Sequence, residues 1–96
     1  MVEEALLEAS VVPIELAEIG AEVCAIAAGI AEEGNRNLIG DAITAALLAE
    51  AAVRAAAALV ATNLKDSSDD EMEDRAARAM ARAALSTTRA QGANNS

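Results

Sequence analysis

From Val12 to Ile30 the large apolar residues return at alternating steps of four and three: Val12, Leu16, Ile19, Val23, Ile26 and Ile30. That spacing predicts a helix with one sustained apolar seam, and Glu15, Glu18 and Glu22 run beside it as a charged stripe. Pro13 at the first helical position, with Glu15 in the first turn, marks where this helix starts. Gly34, just past the last turn, marks where it stops. Ahead of it, residues 2–10 set Leu6 and Leu7 against Glu3, Glu4 and Glu8, which predicts a short acidic amphipathic helix. A second long helix is predicted to open at Gly40 or Asp41 and to run to about Asn63. Asp41, Glu50 and Arg54 are its only charges, and a helix apolar nearly all round is a buried one. Glu50 and Arg54, four residues apart, are expected to pair along it. Leu64-Lys65-Asp66 reads as a turn. Ser68-Asp69-Asp70-Glu71 fits a capping box with Ser68 as the N-cap. The third long helix is predicted over about 69–88, with acids early and Arg75, Arg78 and Arg82 late, the order its dipole prefers.

No strand is predicted, so the class is all-α. The expected architecture is an antiparallel up-and-down bundle of three long helices plus the short N-terminal one. It forms a single domain over 1–88, followed by a disordered tail over 89–96.

Composition changes this picture in one respect. A chain of 96 residues makes one small domain and buries only about two-thirds of its extended surface when it folds alone. Its apolar fraction is 54%, yet it contains no Phe, Tyr or Trp, the residues that supply the largest burial terms. Roughly a quarter of the chain is Ala, each burying about one methyl group, ~0.8 kcal/mol. The core of a monomer is therefore thin, and the bundle is expected to be completed by homo-oligomerisation, a dimer first of all.

Charge narrows the partners. Sixteen acids against seven bases give a net charge of −9, whereas phosphate-backbone binding needs a basic stripe. Through residue 50, Arg36 is the only base against ten acids. Nucleic acid and anionic membrane surfaces are excluded on this reading. The longest uncharged run, Ala55 to Leu64, is about half a membrane span. The N-terminus lacks the basic region of a signal peptide. The single Cys24 cannot form an internal disulfide, which fits a reducing cytoplasm.

The candidate chemistry is limited. Without histidine there is no His-based acid–base scheme, and one Cys with carboxylates is a poor zinc set. The acidic run from Asp66 to Asp74 lacks the glycine and ligand spacing of a calcium loop. No phosphate-binding Gly-rich loop occurs, and no cofactor or metal is expected. Cys24, on the apolar side of its helix, reads as a small core residue. What remains is Asn35, Asn37 and Asp41 at a helix start, the Glu50–Arg54 pair, and Asn63 with Lys65 at the far end of the same helix. The first group provides amides and a carboxylate for a ligand, and equally the parts of a turn and N-cap.

Taken in order, Val12-Pro13-Ile14-Glu15, Gly34-Asn35-Arg36-Asn37 with Gly40-Asp41, and Asn63-Leu64-Lys65 resemble the cyclodeaminase/cyclohydrolase family. These are helical folate enzymes that include the deaminase part of formiminotransferase-cyclodeaminase and the short methenyltetrahydrofolate cyclohydrolases. The resemblance spans roughly residues 11–85 and corresponds to the C-terminal half of the family domain. Arg36 and Gly40 stand where the family pattern has proline and serine. The resemblance implies a tetrahydrofolate derivative as substrate. The reaction would be either deamination of 5-formiminotetrahydrofolate or hydrolysis of 5,10-methenyltetrahydrofolate. It implies Asp41 as the catalytic carboxylate, Asn35 and Asn37 as orienting amides, and Arg36 and Lys65 for the glutamate tail. The alternative is a non-catalytic helical module whose copies self-associate.

Overall fold

The computed structural model describes residues 2–65 and 69–95. Three helices run up, down and up: α1 (Val2–Glu33), α2 (Arg36–Asn63) and α3 (Asp70–Ala93). They form a rod of 53 × 16 × 14 Å, and every described residue is helical or in a turn or cap.

The expected break before Pro13 does not occur. α1 is one continuous helix with Pro13 inside it, and the short N-terminal helix is its first turns. Pro13 costs α1 the bond to the carbonyl four residues back. Leu7 packs against the cluster formed by Ile14, Ala57, Val60, Leu64 and Ala76, and this tertiary packing holds the early turns in line. Buried Ser10 adds a local tie, its hydroxyl donating to the Leu6 carbonyl at 2.9 Å.

The link between α1 and α2 is two residues long. Gly34 takes φ +88°, the left-handed conformation that ends helices and favours glycine. Asn35 then caps α2: its side-chain oxygen accepts from the Asn37 N–H at 3.0 Å. Its carbonyl accepts from Leu38 N–H at 2.8 Å and Ile39 N–H at 3.2 Å. α2 thus opens at Arg36, earlier than the Gly40 or Asp41 predicted. Gly40 does not interrupt the helix, and the space where its Cβ would lie is open.

At α3 the expected cap, Ser68, lies outside the described residues, as does Asp66 of the predicted turn. Asp69 caps the helix, accepting from the Met72 N–H at 3.0 Å. α3 also outruns its predicted end at 88. The segment expected as a tail from 89 stays helical through Ala93, with Ala90 fully buried.

The largest departure is which face of α1 is buried. The predicted seam of Val12, Leu16, Ile19, Val23, Ile26 and Ile30 is 43–62% exposed. A second stripe of the same alternating spacing, Ile14, Ala17, Ala21, Cys24, Ala28 and Ala31, forms the core instead. Against it pack Ala42, Ala46, Val53 and Ala56 from α2 and Ala79, Ala83 and Ala90 from α3. Small side chains let three helices approach closely on one axis. At Gly20 the approach is closest, since an added Cβ would lie 2.7 Å from Val53 Cγ2.

Charge selects the same face. Glu18, Glu22 and Glu32 flank the small stripe and meet three arginines of α3 spaced by seven. Arg75 is bidentate on Glu18 at 2.5 and 3.0 Å. Arg82 bonds Glu22 at 2.8 Å, and Arg89 grips Glu32 with two donors. These pairs seat α3 on one side of α1 and leave the bulky seam uncovered.

α2 is also less buried than its composition predicts. Leu47, Leu48 and Leu59 are exposed, because each helix of a three-helix rod turns only one stripe inward. By length and composition alone α2 is apolar enough to cross a membrane. Counting only uninterrupted apolar runs misses this, since Glu50 and Arg54 break the run without dominating the helix.

Candidate functional site at the hinge end

The hinge end gathers the end of α1, the start of α2 and the last turns of α3. A cavity of about 410 Å³ opens there, lined by Glu32, Gly34, Arg36, Ile39, Arg89 and Gly92 among others. A second, of about 300 Å³, also touches Arg36 and Ile39 and reaches Gly40 and Asn94. Inside the first, the two hydrogen bonds from Arg89 hold the Glu32 carboxyl below its ordinary range and raise Arg89 above its own. That pair stays ionised and is self-satisfied. Arg36 differs: among the described residues it has no ion-pair partner. Its exposed guanidinium is a free planar fork of the kind that takes a carboxylate bidentately.

Asp41 looks the other way. It lines a groove of about 260 Å³ between α1 and α2 with Ala27, Ile30, Leu38, Ala42 and Ala45. All five neighbours are apolar, so Asp41 is the one proton-accepting group in the groove. Arg36 and Asp41 therefore occupy two grooves on opposite sides of the first turns of α2. Asn35 has its side-chain oxygen committed to the cap, and Asn37 is exposed beside it.

Two sequence-predicted members do not join this cluster. Lys65 lies past the other end of α2, about 40 Å away at ~1.5 Å of rise per residue, so one small ligand cannot touch both it and Arg36. Glu50 and Arg54 form no ion pair with each other. Arg54 is exposed, and half-buried Glu50 faces the bundle near Cys24. Cys24 is a core residue, as expected, but it lies on the small-residue stripe and not on the predicted seam. It is fully buried with its thiol 3.5 Å from the Ala46 carbonyl, and burial raises its pKa. Among the described residues no group of three His, Cys, Asp or Glu side chains could hold a metal ion.

Sequence reasoning missed Glu32 and Arg89. The available signal was the spacing of Arg75, Arg82 and Arg89, which sets three guanidiniums on one face of α3. With residue 89 expected in the tail, only two of the three arginines fall within the predicted helix.

A family model described as formiminotransferase-cyclodeaminase matches residues 1–82. The chain belongs to the formiminotransferase-cyclodeaminase family. The match takes in α1, the hinge, all of α2 and α3 as far as Arg82, and so includes Arg36 and Asp41. Arg89, Gly92 and Asn94, the α3 wall of the two cavities, lie beyond it. At the level of the family, the relation is to folate one-carbon metabolism. Comparisons with curated proteins and with solved structures gave no significant match.

Proposed function

We propose that this chain binds a tetrahydrofolate derivative at its hinge end and acts in folate one-carbon chemistry. The observation that carries the reading is the family match over a hinge holding an unpaired guanidinium and, across the first turns of α2 from it, a carboxylate in an apolar groove. Arg36 meets a carboxylate of the glutamate tail, and Asn37 supplies a hydrogen-bonding amide. Asp41 accepts or returns the proton that either reaction must move: loss of ammonia from the formimino group or addition of water to the methenyl carbon. Lys65 takes no part within one chain.

Titration calorimetry of the full chain with tetrahydrofolate tests this. Binding heat is expected below millimolar ligand, weakened about tenfold by Arg36→Ala, the loss of one charge-assisted contact. Asp41→Asn is expected to keep binding and lose turnover. Absence of heat at millimolar ligand overturns the reading.

A second reading is favoured by the exposed seam of α1: a non-catalytic module that assembles through copies of itself. Turnover separates the two readings, and a homo-oligomer belongs to both.

A further inference from the structure

The Glu32–Arg89 pair is closed as a pair of charges but open as a set of hydrogen bonds. A guanidinium carries five N–H donors. Arg89 commits its Nε–H and one Nη2–H to the two Glu32 oxygens, which leaves three donors free. Arg89 and Arg36 line the same cavity of about 410 Å³.

That cavity reverses the charge balance of the chain. Acids outnumber bases sixteen to seven overall, whereas the charged groups lining the cavity are Arg36 and Arg89 against Glu32. A second arginine-lined groove, of about 270 Å³ between α1 and α3, holds Arg75, Arg78 and Arg82. There each guanidinium has a carboxylate of its own, from Glu18, Asp74 and Glu22 respectively. At the hinge end two guanidiniums share one carboxylate, so one positive charge is left for an incoming anion.

We propose that Arg89 is a second carboxylate-binding residue, and that the hinge cavity recognises a ligand end bearing two carboxylates. One meets Arg36 and the other meets the free donors of Arg89. The inference rests on the folate reading above, which brings a glutamate end to Arg36 and uses only one of its two carboxylates. Glu32 keeps Arg89 ready for this contact. An arginine side chain gives up rotamer freedom when it binds, and one already gripped by two hydrogen bonds has given it up beforehand. Arg89 lies beyond the stretch that the family model matches, so the second contact is a property of the last turns of α3 in this chain.

The test compares two pterin-free probes on the full chain by titration calorimetry. Para-aminobenzoyl-glutamate carries both carboxylates; para-aminobenzoyl-glutamine has the same skeleton with the side-chain carboxylate turned into an amide. The native chain is expected to prefer the glutamate probe about tenfold, the worth of one charge-assisted contact. Glu32→Gln with Arg89→Gln removes the pair without changing the net charge of the cavity lining. That double variant is expected to bring the preference down to about one, while holding the glutamine probe as the native chain does. Arg89→Lys keeps the charge on α3 without the planar fork and is expected to lower the preference in the same direction. A native chain without the preference, or without heat from the glutamate probe at millimolar concentration, overturns the proposal. So does a preference that survives the double variant at native helical circular dichroism. Tetrahydrofolate heat with no such preference keeps the folate reading and sinks this inference. A preference lost in the double variant, with tetrahydrofolate bound no more tightly than the glutamate probe, keeps this inference and sinks the folate reading.

Discussion

α1 carries two apolar stripes of the same period, and the rod buries the smaller one. Ile14, Ala17, Ala21, Cys24, Ala28 and Ala31 face inward, while Val12, Leu16, Ile19, Val23, Ile26 and Ile30 face out. Period alone cannot rank them. What ranks them is fit to two neighbours at once. A stripe of alanines admits α2 and α3 at short distance, and the glutamates beside it answer the arginines of α3. The bulky stripe has more to gain from burial, at ~25 cal/mol per Å², yet within one chain it has no helix left to meet. A single chain therefore satisfies its close packing and its ion pairs, and leaves its bulkiest apolar stripe uncovered.

The sharpest way to break this contrast is to truncate one residue from each stripe. Ile14→Ala removes the largest fully buried side chain and is expected to cost about 2–5 kcal/mol in chemical denaturation. That cost should not depend on protein concentration. Ile19→Ala is expected to cost under ~0.5 kcal/mol in dilute chain, with a larger loss appearing only as concentration rises and dimer forms. Equal losses at all concentrations would show that the two stripes are not distinct.

A smaller effect tests the closeness of the inner packing. Gly20→Ala is expected to destabilise by about 1–2 kcal/mol, overpacking against Val53 outweighing the ~1 kcal/mol gain in helix propensity. Val53→Ala in the same chain should relieve the clash, so that the double variant loses less than the sum of the singles. Strict additivity in thermal denaturation would count against the contact.

The smallest effect concerns the charged flank. Hydrogen bonds from Arg75 and Arg89 hold Glu18 and Glu32 below the ordinary carboxylate pKa of 4.5. Their contribution is therefore present above that value and fades as pH falls through the lowered folded values. These pairs are substantially exposed, so solvent screens them and their effect is small. Glu18→Gln with Glu32→Gln is expected to melt a few degrees below the native chain at pH 7, with the gap closing toward pH 3. A gap that stays constant with pH would remove the ion pairs from the account.

The helical class, the three long helices and the turn at Gly34 were legible from spacing and punctuation alone. The inward face was not, because Ala17 and Ala21 look unremarkable beside Leu16 and Ile19 until the neighbours are known. Pro13 and Gly40 have the local character of boundaries yet lie inside α1 and α2, since packing by Leu7 and capping by Asn35 override local preference. At the candidate site, the position of Asp41 and Arg36 near a helix start was readable. Their separation onto opposite grooves was not, because it depends on an α2 that starts at Arg36. Arg89 was hidden by a tail that is in fact the last turn of α3.

Val53 seated over Gly20 has a meaning beyond its energy. Alanine-lined helices present smooth surfaces to one another, and smooth rods can slide along their common axis in steps of one turn, about 5.4 Å. A valine lodged over the one residue in that stretch without a side chain is an index mark. Shifted by a turn, it would meet the side chain of Leu16 or Cys24 instead of a gap. A single missing methyl thus tells α1 and α2 where along their length to stop.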